Sequence, residues 1–135
     1  MKELTLKAAI ENLPAVTSFL DEILEAAGSS MKSQMQLDVA MDELFGNIAR
    51  YAYVPGEGDA TVRVSVDEAN RVAEITLIDR GVPFNPLEAL PPDTTASAAD
   101  RPIGGLGIFL VRKTMDEMTY AREEDRNILT LRKKI

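Results

Sequence analysis

Hydrophobic side chains recur along this chain with two periods, and each change of period marks an element. Leu4 and Leu6 alternate with polar neighbours over residues 3–8, which predicts a short edge strand. Asn12 is placed to cap a helix that Pro14 enters in its first turn and Gly28 ends, with Val16, Phe19, Leu20, Ile23 and Leu24 facing inward. A longer helix is predicted over residues 31–53, where Leu37, Met41, Leu44, Phe45, Ile48 and Ala52 form one apolar stripe. Pro55, Gly56 and Gly58 punctuate a turn. Residues 61–66 and 72–78 then alternate as two strands of a hairpin, the second ending on Asp79. Residues 80–103 keep no period and carry five prolines and the small-residue run 94–99; a segment this long predicts a lid, with a short helical turn near Leu87. Gly104-Gly105-Leu106-Gly107 opens a third helix running to about Glu117. Strands at 118–123 and 128–133, joined through Glu124-Asp125-Arg126-Asn127, close the chain. This order predicts one α+β domain over 1–135. It is a two-layer α/β sandwich whose mixed, mostly antiparallel sheet carries about three helices on one face.

Composition narrows the chemistry. A chain of 135 residues can bury one hydrophobic core without staples. It contains no cysteine, which excludes thiolate nucleophiles, disulfides and cysteine-based zinc sites. It also contains no histidine, so imidazole metal sites, Ser-His-Asp chemistry and phosphohistidine relays are excluded, and carboxylates remain as the acid/base groups suited to neutral pH. A net charge of −7 disfavours direct nucleic-acid binding and anionic membranes and fits a basic protein partner. No stretch has the pattern of a signal peptide or a spanning helix, so the expected location is the cytoplasm.

Three stretches carry candidate chemistry. Glu43 and Asn47 stand four apart, roughly 40° around the helix axis, on the edge beside the apolar stripe. A carboxylate and a carboxamide aimed at one spot can take a proton and hold a hydrated divalent cation, the two needs of phosphoryl transfer; alternatively they are an ordinary polar edge. Asp79 ends a buried strand in Ile78-Asp79-Arg80-Gly81-Val82-Pro83-Phe84, where Gly81 permits close approach of backbone or ligand. An ionised acceptor there matches the exocyclic amine of adenine and finds no donor at the corresponding oxygen of guanine; Asp before Gly is also ordinary turn chemistry. Gly104, Gly105, Leu106 and Gly107 open a helix, where free N–H groups attract phosphate, or else form a hinge. Arg101, the last cation before those glycines, either reaches a γ-phosphate or is solvated.

Taken together these stretches resemble the GHKL (Bergerat-fold) ATP-binding domains, and among them the bacterial anti-sigma-factor serine/threonine kinases of partner-switching systems. Glu43-Leu-Phe-Gly-Asn47 is similar to the first nucleotide box of that family, Asp79-Arg-Gly81-Val-Pro-Phe to the second and Gly104-Gly-Leu-Gly107-Ile-Phe-Leu-Val to the third, in the family's order. The resemblance covers nearly the whole chain. It implies that Glu43 is the general base, Asn47 the Mg2+ ligand, Asp79 the adenine reader, and Gly105 and Gly107 part of a phosphate cradle under the lid. It further implies ATP as cofactor, phosphorylation of a small anti-anti-sigma antagonist, binding of a sigma factor, and a symmetric homodimer through apolar residues of the first helix. Many members have a second glycine where this chain has Pro83, which stiffens the entry to the lid. Without histidine, a sensor or a dimerisation region, the chain does not resemble a sensor histidine kinase. The competing expectation is a non-catalytic ATP-binding module whose nucleotide state controls partner binding.

Overall fold

The computed structural model describes residues 1–88 and 105–135. Most of the lid expected over 80–103, with Arg101 and Gly104, lies outside the described residues. The short turn expected near Leu87 is present as a 3-10 turn, Pro86–Glu88.

Five strands form one sheet in the order β1-β2-β3-β5-β4, with β1 Lys2–Lys7, β2 Asp59–Asp67, β3 Val72–Asp79, β4 Glu117–Glu123 and β5 Arg126–Lys134. Every neighbouring pair is antiparallel, so the expectation of a mixed sheet is corrected. The reason is the final hairpin. The crossover from β3 through the third helix brings β4 in alongside, but β5 turns back and occupies the place between β3 and β4. That turn needs only Glu124 and Asp125, both with positive φ (52° and 60°), as in a two-residue hairpin loop of mirror-image type. Arg126 and Asn127, expected in the connection, therefore belong to β5.

Three α-helices pack on one face. Helix α1, Leu13–Ala26, buries Val16, Leu20 and Leu24 completely, with Phe19 and Ile23 packed against the core. Asn12 precedes it but does not cap it; its amide donates instead to the Lys7 carbonyl at 2.8 Å, tying the helix entry to β1. At the other end Arg71, from the β2–β3 turn, donates to the carbonyls of Ala27 (2.7 Å) and Gly28 (3.0 Å), partners that a helix end otherwise lacks. Among its described residues α1 exposes no large apolar side chain, so the apolar surface expected there for a dimer is absent. The next helix, by contrast, exposes Met31, Met35 and Val39.

Helix α2, Met31–Asn47, starts at Ser30, whose hydroxyl accepts the Ser33 N–H at 3.1 Å. It sinks Leu37, Met41, Leu44 and Phe45 into the core, each worth roughly 1.5–3 kcal/mol of transfer free energy. The helix was expected to continue to residue 53; after Asn47 it widens into a π-helical turn, Ile48–Ala52. Helix α3, Gly105–Thr114, ends earlier than expected, because the Asp116 N–H already bonds the Arg132 carbonyl of β5 at 3.0 Å. Its Ile108 and Val111 complete a single apolar cluster over Ala60, Val62, Val64, Ile75, Leu77 and Leu131. The opposite face of the sheet is polar, with a Thr5–Thr61 hydroxyl pair and Arg63–Glu3 and Arg132–Glu74 ion pairs. No helix among the described residues is long and apolar enough to cross a membrane.

Candidate functional site

The end of β3 delivers a carboxylate into apolar surroundings. Its inner face is hydrophobic up to Leu77, and Asp79, closing the strand, is 5% exposed. A carboxylate this buried requires partners. Asp79 Oδ1 accepts the Gly81 N–H at 2.9 Å and the Asn127 amide at 2.9 Å, while Oδ2 accepts no bond from the described residues. Asn127 stands directly opposite Asp79 in the β3–β5 register and is 6% exposed. Its Nδ2 also donates to the Val82 carbonyl at 2.9 Å, and its Oδ1 accepts the Phe84 N–H at 3.3 Å and the Tyr120 hydroxyl.

The turn that follows is held from several sides. The Arg80 N–H donates to the Tyr53 hydroxyl at 2.7 Å, and that hydroxyl donates to the Asp59 carbonyl at 2.6 Å; burial pushes the Tyr53 phenol up, which keeps the donor proton in place. The Gly81 carbonyl accepts from Arg122 at 2.8 Å, and the Val82 N–H donates to the Ala52 carbonyl at 2.8 Å. A Cβ at residue 81 would overlap Ala52, so the close approach that requires glycine is to backbone. Gly81 shapes the turn without lining the cavity beside it.

That cavity is about 390 Å³. Leu44, Ile48 and Ala52 wall it on the helix side, Leu77 and Leu129 on the sheet side, and Pro83 and Phe84 at the entry. The π-helical turn is thus one of its walls, and Pro83 contributes an apolar surface as well as a stiff backbone. Asn47, Asp79 and Asn127 are its buried polar groups. An apolar slot with a few convergent polar groups fits a flat heterocycle carrying an amine.

Asn47 is 7% exposed, and its Nδ2 is buried with no hydrogen-bond partner among the described residues. A buried amide N–H without an acceptor is costly in isolation and suits an oxygen that arrives with a ligand, such as that of a phosphate or of a cation-bound water. No cluster of three or more acidic residues that would cage a metal exists among the described residues. A Mg2+ ion fits such a site, since it binds through one or two protein ligands and completes its shell with water and phosphate oxygens. One turn before Asn47, the Glu43 carboxylate lies against Gly107 of α3, where any Cβ would overlap it. The fold therefore brings the residues expected from the first and third stretches into contact. Gly105 begins α3 and Leu106 is exposed; Arg101 and Gly104 lie outside the described residues.

Asn127, Tyr120 and Arg122 join the site without being expected from the sequence. A signal for Asn127 was present: it shares the alternation of Leu129 and Leu131, and so marks a polar side chain in an inward register.

The family model of the histidine kinase-like ATPase domain matches residues 6–133. The serine/threonine-protein kinase BtrW of Bordetella bronchiseptica is 30% identical over 102 residues, covering 76% of this chain and 71% of that protein. The serine-protein kinase RsbW of Bacillus mycoides is 24% identical over 131 residues, covering 94% of this chain and 81% of that protein. The crystal structure of the RsbU and RsbW domains of Rv1364c from Mycobacterium tuberculosis matches 99% of this chain with a TM-score of 0.65 at 15% identity; the match spans 32% of that longer chain and bears on the fold alone.

Proposed function

The chain belongs to the histidine kinase-like ATPase domain family, and from that premise we propose that it is a cytoplasmic serine/threonine protein kinase, a single domain over 1–135. It binds ATP with Mg2+ and phosphorylates a small anti-anti-sigma antagonist protein in a partner-switching system, whose sigma factor it also sequesters. The observation that carries this reading is the convergence at one end of the sheet. Asn47 and Asp79 line the same cavity, and Glu43, one turn from Asn47, meets the glycine turn at Gly107. Kinase names on the relatives in Bordetella and Bacillus support phosphate transfer as the activity.

Each residue then has a task. The apolar slot takes adenine, and the free Oδ2 of Asp79 accepts its exocyclic amine. N–H groups at the start of α3, around Gly105 and Gly107, meet the phosphates with the positive end of the helix dipole. The Asn47 amide oxygen would hold the cation, whose charge offsets that developing on the phosphates when it is bound. Glu43 accepts the proton of the partner's serine or threonine hydroxyl.

The test is incubation with radiolabelled ATP and candidate antagonist proteins. Label on a serine or threonine of one antagonist supports the reading. ATP binding without transfer to any candidate favours the non-catalytic module, and failure to bind ATP removes both.

A further inference from the structure

We infer that Asn127, held by Tyr120, is the positioning residue that sets the nucleotide preference of the cavity, by fixing which oxygen of Asp79 faces the ligand and in what orientation. The inference rests on the ATP-binding reading above.

A carboxamide offers two donor hydrogens on nitrogen and an acceptor oxygen, and here all are used. Nδ2 serves Asp79 Oδ1 and the Val82 carbonyl, and Oδ1 receives the Phe84 N–H and the Tyr120 hydroxyl. Asn127 therefore has nothing left with which to read a base itself, although it lines the cavity. Its role is directed at Asp79.

The orientation of the amide is also fixed. A half-turn of the amide about its terminal bond would aim Oδ1 at the Asp79 carboxylate and Nδ2 at the Phe84 N–H, placing acceptor against acceptor and donor against donor. The Val82 carbonyl, which Nδ2 satisfies as observed, would then face Oδ1 and adds a third penalty to that flip; the Tyr120 hydroxyl donates to Oδ1 in the observed orientation. With the donor side held toward Asp79, Oδ1 of the carboxylate is saturated by Asn127 and Gly81. Only Oδ2, an acceptor, remains for a ligand in the slot. An amine-bearing purine satisfies it, and a purine with a carbonyl at that position does not.

The same amide ties the reader to the slot's entry. By bonding the Val82 carbonyl and the Phe84 N–H, Asn127 connects the strand-end carboxylate to the two residues that flank Pro83, so reader and apolar wall move as one unit. β-Strand register makes this possible, because Asp79 and Asn127 are direct partners on neighbouring strands.

Two variants test the assignment: Asn127→Leu, which keeps the branched shape and removes every side-chain hydrogen bond, and Asn127→Asp, which restores a donor only when protonated. Affinities for ATP and GTP are measured by calorimetry from pH 5 to 8, with thermal melting to monitor folding and steady-state kinetics on a phosphate-accepting partner. Asn127→Leu is expected to lower the ATP-to-GTP affinity ratio by about tenfold or more, and to raise KM for ATP while leaving kcat within about twofold. In Asn127→Asp the introduced carboxyl opposes Asp79 and the pair shares a proton at low pH. ATP affinity of that variant should approach that of the unmodified protein near pH 5 and decline toward pH 8, where the unmodified protein stays flat.

A folded Asn127→Leu with an unchanged affinity ratio overturns the assignment and leaves the ATP reading standing. If Asn127→Leu does not fold, the pH profile of Asn127→Asp decides, and a profile parallel to that of the unmodified protein overturns it. An unmodified protein that fails to bind ATP overturns the inference and the reading beneath it together.

Discussion

Gly107 lies so close to the Glu43 carboxylate that a methyl group at residue 107 would occupy the carboxylate's place. The contact joins α2 to the start of α3, the two elements offered here for proton transfer and for phosphate binding. Gly107→Ala must push Glu43 aside or tilt the first turn of α3. A displacement of about 1 Å at a reacting group costs on the order of 10²-fold in rate. Phosphotransfer by Gly107→Ala is accordingly expected to fall about that far. Melting should change little, since the glycine lies at the edge of the core. A variant with full transfer activity would show that Glu43 does not need its observed position.

Asp79→Asn tests the base reader directly. The substitution keeps the shape but replaces a charged acceptor by a carboxamide, which must also face the Asn127 amide. Loss of a charge-assisted hydrogen bond is worth about 1.5–3 kcal/mol, or roughly tenfold to 150-fold in ATP affinity. Calorimetry should record that loss together with weaker discrimination against GTP. Unchanged ATP affinity would remove Asp79 from the site.

How far the sequence disclosed this arrangement depends on what each residue contacts. The inward faces of α1 and α2 were legible because Val16, Leu20, Leu37 and Phe45 repeat with the helical period and meet the same core. The change to a π-helical turn at Ile48 was not, since the apolar stripe continues unbroken and the turn that bonds its end, through the Val82 N–H and the Ala52 carbonyl, is distant in sequence. Asn127 was assigned to a connection because polar residues at a hairpin read as loop. Its place in β5 is secured by Asp79, 48 positions away in sequence, a partner no local pattern reveals. Gly81 was legible as a point of close approach, but whether backbone or ligand approaches is decided only by the packing of Ala52.

The Asp38 carboxyl, on the flank of α2 that faces α1, gives the stability a pH dependence. Burial, then Asp21, and further Asp42 and Glu25, push it from the ordinary 3.8 up to about 7. Among the described residues neither Asp21 Oδ1 nor Asp38 Oδ1 has a donor, and a shared proton supplies one. The native state therefore holds a proton that the unfolded chain releases. This contribution to stability is fully present below about 3.8, and it is lost as pH rises through about 7. Asp38→Asn carries a permanent donor for Asp21 and should flatten that decline. Partial exposure screens the effect, so a gain of only a few degrees in Tm at pH 8 is expected, and little or none near pH 4. Melting curves at the two pH values check it, and an equal shift at both would assign the effect to something other than this proton.

The last pair of substitutions separates proton transfer from cation binding on a single helix edge. Glu43 and Asn47 are one turn apart, yet their surroundings differ: Glu43 is partly exposed against Gly107, whereas Asn47 is buried with its amide nitrogen unpartnered at the cavity. Glu43→Gln keeps the size and polarity of the side chain and removes its ability to accept a proton. Nucleotide affinity should persist while phosphorylation of an antagonist falls by about 10² to 10⁴. Asn47→Ala removes the carboxamide that α2 contributes to the lining of the cavity. Binding of nucleotide in the presence of Mg2+ should then weaken along with transfer, whereas metal-free nucleotide binding should change little. Comparing affinities with Mg2+ and with a chelator, and rates at saturating ATP, resolves the two effects. If both variants lose transfer and keep Mg2+-dependent affinity, the cation is held elsewhere. If Glu43→Gln transfers phosphate at the full rate, the proton goes to another group.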